Sequence, residues 1–161
     1  MVPEMAENRN SARKGKAVEH LVAASCILTS GLELNVSTSF VDDEGVDLVF
    51  HRRESSTTLA VQVKSRELSA KFRAVVGAST FRQRPDLYVL FVAVDTKEGT
   101  FGPVWLVPSK VLAERTKLDG KGRHVFQAST KPDTNDRWRE LRHERAELPG
   151  RIMEALDRLP S

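Results

Sequence analysis

The eight residues from Leu87 to Val94, LYVLFVAV, constrain the fold more than any other part of the sequence. Nearly all of their side chains are apolar, and the run is far shorter than the roughly 18–20 residues that a membrane-spanning helix needs. A short run of this kind is typical of a strand that is covered on both faces. It therefore predicts an α/β protein in which helices flank a mixed central β-sheet.

The residues before this run change from a helical to an extended pattern. Apolar side chains recur at steps of three and four residues between Val18 and Leu28, which predicts a helix from about Ser11 to Ser30. Gly31 is suited to end that helix in the left-handed conformation. The strands expected to follow are Leu34–Phe40, Val46–His51 and Leu59–Lys64, with the loop RRESSTT joining the last two as a hairpin.

The patterns on either side of the apolar run are weaker. Ala70–Gln83 fits the start of a helix as well as the end of a strand, and both interpretations stay open. Thr96–Pro103 contains Gly99 and Gly102 and predicts a turn. The other expected elements are strands at Val104–Val107 and His124–Ala128 and helices at Ser109–Arg115, Arg137–Arg145 and Gly150–Leu159.

Length and composition bound the domain organisation. The chain of 161 residues is about one domain at a typical size of roughly 150 residues. We expect residues 1–10, which show no period, to be a mobile leader, and residues 11–161 to form one α/β domain. The single cysteine, Cys26, predicts a buried thiol in a reducing compartment. The polar N-terminus and the lack of a long apolar stretch predict a cytoplasmic protein without a membrane partner.

Polar side chains interrupt the second and third predicted strands. Asp47 lies at the start of the second strand, and Gln62 and Lys64 lie two residues apart on the third. Because side chains alternate along a strand, Gln62 and Lys64 project from one face and Val61 and Val63 from the other. A hairpin brings Asp47 beside Gln62 if the register of the two strands is right.

These side chains have the chemistry of a divalent-metal site. Glu19, on the first helix, adds a second carboxylate to that of Asp47. Magnesium prefers hard oxygen ligands, so two carboxylates with an amide or backbone oxygen would suffice. A lysine such as Lys64 beside the ion can orient or deprotonate a water, or stabilise a pentacoordinate phosphate. The alternatives are ordinary surface positions for Asp47 and Lys64, and an exposed Glu19 that pairs with a nearby lysine.

Asp47 and the triplet Gln62-Val63-Lys64 resemble the signature of the PD-(D/E)XK nuclease superfamily, the fold of restriction endonucleases and Holliday-junction resolvases. The segment GKAVEHLVAASCILTSG is similar to the first helix of that fold, in which a Glu at the position of Glu19 often assists metal binding. The segments LYVLFVAV and VWLVPSK are similar to later strands of small uncharacterised bacterial members with a Gln-x-Lys motif. The resemblance covers roughly Ser11 to Val94 and implies a three-layer, restriction-endonuclease-like α/β core.

The resemblance also implies an activity. The chain would be a DNA endonuclease that hydrolyses phosphodiester bonds with Mg²⁺ or Mn²⁺ as cofactor. Its catalytic residues would be Glu19, Asp47, Gln62 and Lys64. Glu19, Asp47, Gln62 and the backbone carbonyl of Val63 would hold the metal, and Lys64 would act on the water. Folds of this kind frequently work as homodimers, because cutting two strands needs two sites.

Two positions depart from the pattern of the superfamily. Val46 stands where proline is usual, a change that the superfamily tolerates widely. Gln62 replaces an acidic residue, and its amide offers an oxygen but no charge, which should lower the affinity for magnesium. A second interpretation is therefore a catalytically weak or inactive DNA-binding module of the same fold. A third is a structural or partner-assembly protein whose basic face serves solubility only.

The basic residues are distributed unevenly. The net charge of +3 is too small to identify a partner. From Lys64 to Arg84, however, six basic residues stand against one acid, Glu67, and this surplus suits phosphate groups. A solvated basic face without a ligand is the alternative. The residues expected to contact DNA are Arg13, Lys16, Arg66, Lys71, Arg73, Arg82, Gln83 and Arg84.

Other conspicuous residues favour structural roles. The acidic run DDEG at positions 42–45 lacks the ligand spacing of a calcium loop and predicts a solvated turn. Trp105 and Trp138 are expected to pack in the core rather than to stack on bases. His20 is expected at the surface.

Overall fold

The computed structural model describes residues 3–38, 45–79 and 81–160 of the chain. Three α-helices lie in these residues: α1 (Pro3–Thr29), α2 (Ser109–Arg115) and α3 (Leu148–Asp157). The strands are β1 (Leu34–Thr38), β2 (Leu48–Arg52), β3 (Leu59–Glu67), β4 (Lys71–Gly77), β5 (Leu87–Asp95), β6 (Thr100–Pro108), β7 (Arg123–Ser129) and β8 (Arg142–His143). Short 3₁₀ turns lie at Arg139–Leu141 and Arg145–Glu147.

Six of the strands form one mixed sheet in the order β1-β2-β3-β5-β6-β8. β3 and β5 run parallel, and the other neighbouring pairs are antiparallel. β4 and β7 pair with each other, antiparallel, as a separate two-stranded ribbon. β3 therefore lies inside the sheet, between β2 and β5, and leads directly into the ribbon.

One face of the sheet, the helix-side face, is covered by α1 and α3. Val18, Val22 and Cys26 of α1 and Ile152 and Leu156 of α3 are buried there. Their spacing of four residues places each set on one stripe of its helix. The sheet contributes mostly aliphatic residues to this cluster, among them Leu34, Leu48, Leu59, Val61, Leu90, Val92, Val104 and Leu106.

The opposite face, the ribbon-side face, is covered by the ribbon and α2 and is rich in aromatic rings. Phe126 of β7 stacks on Phe91 of β5 with ring centroids 3.8 Å apart. Phe72 of β4 lies 5.0 Å from Trp105 of β6, and Trp138 packs beside Phe126. All five rings are buried. The ribbon is thus held to the sheet by an aromatic core.

The apolar run has the environment that its composition predicts. It forms β5, in which Leu90 and Val92 belong to the helix-side cluster while Val89 and Phe91 belong to the ribbon-side cluster. Both faces of this strand are therefore covered. The expected mixed α/β architecture with a mixed central sheet is confirmed.

The boundaries of α1 differ from the prediction at one end. The helix begins at Pro3 and not at Ser11, so it includes most of the segment 1–10 that was expected to be a leader. Proline is tolerated in a first turn, because the N–H that it lacks would have no helical partner. Met5 in these first turns is 52% exposed, which explains why the segment carries no apolar period. At the other end, Gly31 has the expected left-handed conformation, with φ of 66°.

Several strands also have different limits. The open segment Ala70–Gln83 contains a strand, β4, whose residues Lys71–Ala74 alternate between exposed and buried. β3 extends three residues past Lys64 because its pairing with β5 continues to Glu67. β2 begins at Leu48, two residues after the predicted start, and the end of the first predicted strand at Phe40 lies outside the described residues.

The predicted turn at Thr96–Pro103 is shorter than expected. β6 begins at Thr100, four residues before the predicted start of that strand. Gly102 has φ of 131°, and the register shifts opposite it between Val92 and Val94. Such an irregularity accommodates a proline inside a strand, which the sequence pattern had excluded.

The predicted helix at Arg137–Arg145 is wrong. This segment forms a 3₁₀ turn followed by β8, where Arg142 pairs with Trp105 and His143 with Val104 at the edge of the sheet. Pairing with β6 outweighs the local helical pattern. The predictions for α2, β7 and α3 are confirmed to within about two residues, the usual uncertainty of element ends.

Candidate active site

The Asp47 carboxylate is fixed against β3 at the point where the pairing of β2 with β3 ends. The backbone N–H of Asp47 donates to the carbonyl of Val61 over 3.0 Å. The Oδ2 atom of the same residue accepts a hydrogen bond of 2.7 Å from the backbone N–H of Val63. Leu48 is the first β2 residue in register, opposite Val61, so the side chain of Asp47 takes the place of the next strand carbonyl. The hairpin register therefore places Asp47 alongside Gln62.

Gln62 and Lys64 project from the ribbon-side face of β3. Their neighbour Val61 belongs to the helix-side cluster, and Val63 packs against it, so the alternation along the strand directs Gln62 and Lys64 the other way. The side chain of Gln62 is buried, whereas Lys64 is half-buried. Lys64 lies opposite Phe91 of β5, at the margin of the aromatic core. An amide and an ammonium group thus follow one another along this face, beside a fixed carboxylate.

Glu19 lies on α1, which covers the helix-side face. Its side chain is 12% exposed, and the Nζ atom of Lys16 donates to its Oε2 over 3.1 Å. The pairing with a lysine is the alternative that the sequence left open for Glu19, but the side chain is not exposed as that alternative expected. A hydrogen bond joins Asp47 to the Gln62-Val63-Lys64 triplet, whereas Glu19 bonds to Lys16 of its own helix.

The described residues contain no group of three or more His, Cys, Asp and Glu side chains that could hold a metal ion. Asp47 is the carboxylate that the hydrogen bonds attach to the triplet. The acidic run at positions 42–44, predicted to be a solvated turn, lies outside the described residues. Any metal at this site would depend on oxygen ligands of mixed kind, with fewer charges than a site of three carboxylates.

The residues expected to contact DNA fall into three separate groups. Arg13 and Lys16 lie on α1, on the helix side of the sheet. Arg66, Lys71 and Arg73 lie at the end of β3 and on β4, and all three are exposed. Arg82, Gln83 and Arg84 lie in the segment that leads into β5. These residues therefore lie on three parts of the fold, of which the first two adjoin, since Lys14 of α1 pairs with Glu67, the neighbour of Arg66, over 2.8 Å.

A serine that the sequence did not single out positions the third group. The backbone N–H of Arg84 donates to Ser109 Oγ over 2.9 Å, and the Ser109 hydroxyl donates to the carbonyl of Arg84 over 2.7 Å. Ser109 is fully buried at the start of α2. The Arg84 guanidinium pairs with Asp86 over 2.9 Å. No spacing rule links positions 84 and 109, so only the tertiary structure reveals this contact.

The one acid of the basic stretch, Glu67, is itself neutralised. Lys14 Nζ donates to Glu67 Oε2 over 2.8 Å, and the backbone N–H of Thr96 donates to Oε1. The hydrogen bond from Lys14 lowers the pKa of the Glu67 carboxyl, and those from Thr96 lower it further. Glu67 therefore ties α1 and the β5–β6 turn to the end of β3 and does not offset the neighbouring cations of β4.

The remaining structural expectations hold. Trp105 and Trp138 are buried in the aromatic core, and His20 is exposed. Cys26 is buried on the helix-side face, and burial raises the pKa of its thiol to about 12. A buried thiol with that pKa packs in the core and does not act as a nucleophile.

Comparison with known proteins adds no relative. Neither a scan against protein-family models nor a search of curated proteins finds a match to this chain. Among the described residues, no helix is both long and apolar enough to cross a membrane.

Proposed function

We propose that the chain is a divalent-metal-dependent DNA endonuclease of the restriction-endonuclease-like, PD-(D/E)XK fold. The observation that carries this proposal is the hydrogen bond between Asp47 Oδ2 and the backbone of Val63. It fixes the aspartate of the motif beside the middle residue of the Gln-x-Lys triplet, although the two motifs lie on different strands. The hairpin brings the two strands together, and its register adds that Asp47 meets the triplet itself.

The donor set suits magnesium or manganese by its chemistry. Asp47 and Glu19 carry carboxylates, Gln62 an amide oxygen and Val63 a backbone carbonyl, all of them hard oxygen donors. Asp47, Gln62 and the Val63 carbonyl would hold the ion, with Asp47 as the anchor, and Glu19 would join them only on leaving Lys16. A bound divalent cation would supply positive charge to the phosphate oxygens and favour the hydroxide form of a bound water.

The chain's own side chains would act on the phosphate and the water. Lys64 would place its ammonium beside the phosphate oxygens and offset the negative charge that develops in the transition state. Gln62, buried next to it, would donate its amide hydrogens to the water or the phosphate. Hydrolysis forms a bond from the water oxygen to phosphorus, breaks one P–O ester bond and leaves a proton for the departing oxygen. Cutting both strands of a duplex would need two copies of the chain, and we propose a homodimer in the cytoplasm.

A DNA-binding module of the same fold that does not cut is the second candidate. It is favoured by the neutral Gln62 in place of an acid and by the pairing of Glu19 with Lys16. With Asp47 as the principal charge, the affinity for magnesium would be low. The two candidates predict the same binding and differ only in hydrolysis.

Cleavage of supercoiled, branched and single-stranded DNA with Mg²⁺ or Mn²⁺ tests the first candidate. Asp47→Asn is the informative variant, because its amide oxygen still accepts from the Val63 N–H while the charge is lost. We expect Asp47→Asn and Lys64→Ala each to lower the cleavage rate by about 10²- to 10⁴-fold. Lys110→Ala, an exposed lysine on α2, is the matched control and should leave the rate unchanged.

The outcomes separate the candidates. Cleavage that survives Asp47→Asn and Lys64→Ala would show that this site is not the catalytic one. Salt-sensitive binding without cleavage by the wild type would favour the non-cutting module. Absence of binding at low salt would leave the structural or assembly role.

A further inference from the structure

The β4–β7 ribbon turns one of its faces away from the sheet. Its inner face carries Phe72 and Phe126, which are buried in the aromatic core. The alternate residues form the outer face, where Arg73 lies opposite Gln127 and Lys71 opposite Ser129. Lys71, Arg73 and Gln127 are exposed. Two rows of side chains, one from each strand of the ribbon, therefore face solvent.

The outer face carries its positive charge mainly at one end. Its residues are Lys71, Arg73, Val75 and Gly77 on β4 and Arg123, Val125, Gln127 and Ser129 on β7, none of them acidic. A cavity of about 610 Å³ adjoins β7 and is lined by Val125 and Gln127 together with Arg115, Lys117 and Arg137. Carboxylates pair with two of these arginines, Asp119 with Arg123 and Glu140 with Arg115. Lys71 and Arg73 therefore give the end of the ribbon next to β3 a positive surface that suits phosphate groups.

The described surface offers no ring on which a single-stranded base could stack. Tyr88 is half-buried, and every other aromatic side chain among the described residues is buried. Proteins that bind single strands without sequence preference rely on such rings. A two-stranded β-ribbon, by contrast, has dimensions that fit the major groove of a duplex.

The ribbon also lies next to the candidate active site. Three residues separate the end of β3 from the start of β4, and Phe91, the partner of Lys64 in the sheet, stacks on Phe126 of β7. Ribbon, Gln62 and Lys64 therefore share one face of the sheet.

We infer that the outer face of the β4–β7 ribbon binds double-stranded DNA, with Lys71 and Arg73 on phosphates and Gln127 at base edges in the major groove. The inference rests on the proposed function only in taking DNA as the partner. Lysine and arginine neutralise phosphates and release counterions, so their loss lowers both the affinity and its salt dependence. The glutamine side chain pairs its amide with adenine, so its loss lowers affinity without changing the salt dependence.

Fluorescence anisotropy with a short labelled duplex and with each of its single strands, in EDTA so that nothing is cut, tests the inference. The double variant Lys71→Gln/Arg73→Gln should bind the duplex about 10- to 100-fold more weakly at about 50 mM salt, and the slope of log K against log salt should fall by about two. Gln127→Ala should weaken duplex binding with an unchanged slope. Lys97→Gln/Arg158→Gln removes the same charge from exposed positions off the ribbon and should change neither quantity.

Equal losses in the two double variants, or single strands bound as tightly as the duplex, would overturn the inference. Parallel assays with Mg²⁺ keep it distinct from hydrolysis. Duplex binding through the ribbon without any cleavage would refute the endonuclease and support the ribbon. If Lys71→Gln/Arg73→Gln cuts subsaturating duplex as fast as the wild type does, the result would refute DNA binding by the ribbon and support the endonuclease. Neither binding nor cleavage would refute both.

Discussion

The two faces of the sheet are covered in different ways, and the polar site lies on only one of them. On the helix-side face, β3 contributes Leu59, Val61 and Val63, all of them packed under α1 and α3. On the ribbon-side face the same strand contributes Gln62 and Lys64, beyond the edge of the aromatic core. The ribbon and α2 pack on apolar side chains of β5 and β6, and among the described residues the cluster that they bury takes none from β3. The polar side chains of β3 therefore lie beside the aromatic core and not within it.

The difference also lies in how the two covers are held. The helix-side cluster spreads its contacts over many aliphatic side chains on two helices. The ribbon depends on a few large rings, with Phe126 at the centre of contacts to Phe91, Phe72, Trp105 and Trp138. Loss of the central ring should therefore remove several of the contacts that hold the ribbon to the sheet at once.

The largest expected effect comes from Phe126→Ala. Removing this buried ring should cost about 3–5 kcal/mol of unfolding free energy, because the transfer energy of the ring is lost and a cavity remains. On the helix-side face, Ile152→Val removes one methyl group from a buried residue and should cost only about 0.5–1.5 kcal/mol. Urea denaturation of both variants measures the difference.

Duplex binding extends this comparison to function. Where Phe126→Ala still folds, binding should weaken because the ribbon no longer packs on the sheet, while Ile152→Val should bind like the wild type. Equal stability losses in the two variants, or full binding by a folded Phe126→Ala, would contradict the description of the ribbon as a cover held by its rings.

Much of this architecture is predictable from local patterns, and the failures have a common cause. The apolar run of β5, the helical stripe of α1 and the alternation in β3 were each predicted correctly. The period of the apolar side chains in a segment shows which of its faces are buried. The segment Arg137–Arg145 misled because its periodicity is helical while Arg142 and His143 pair with β6. Nothing local encodes a partner strand that lies far away along the chain.

The arrangement of the candidate site was also predictable only in part from the sequence. Alternation alone places Gln62 and Lys64 on one face, and a hairpin brings Asp47 near them. The register that joins Asp47 to Val63 had to come from the structure. For Glu19 the helix was predictable but its face was not, because the side of the sheet on which α1 packs depends on the whole chain connection. Ser109 and Gln127 carried no signal, since each acquires its place only through a distant partner.

A smaller effect is expected from Gln62→Glu, which restores the acidic residue of the superfamily pattern. Without metal, a buried second carboxylate beside Asp47 should destabilise the fold by about 1–3 kcal/mol, because it is desolvated and faces a like charge. Added Mg²⁺ should restore the lost stability, because it binds only the folded state. Thermal unfolding with Mg²⁺ and with EDTA measures the shift in Tm.

The control for this variant is Gln83→Glu, which makes the same charge change at an exposed position. Its Tm should not respond to Mg²⁺. If Mg²⁺ raises the Tm of Gln62→Glu no more than that of Gln83→Glu, then Asp47 and position 62 do not share a metal. The ribbon-side face would then not be the metal site.

The smallest effect concerns two carboxylates that pair with arginines, one beside each cover. Arg123 donates a hydrogen bond to Asp119 in the turn before β7 and lowers the pKa of this carboxyl from 3.8 to about 2. Arg52 of β2 lowers the pKa of Asp157 of α3 in the same way. Since both pKa values fall on folding, each pair contributes stability that is fully present above about pH 4 and is lost as the pH falls through the folded pKa.

The difference in Tm between the wild type and Asp119→Asn should therefore be constant near neutral pH and vanish as the pH falls through about 2, the pKa of the folded carboxyl. Asp157→Asn should show the same sign, which a series of melting curves at descending pH measures. The two variants should differ in duplex binding at neutral pH. Asp119→Asn frees Arg123 on the outer face of the ribbon and should strengthen duplex binding, whereas Asp157 joins α3 to β2 on the far side of the sheet and its loss should leave binding unchanged. Equal binding by the two variants would mean that the ribbon has no special part in holding DNA.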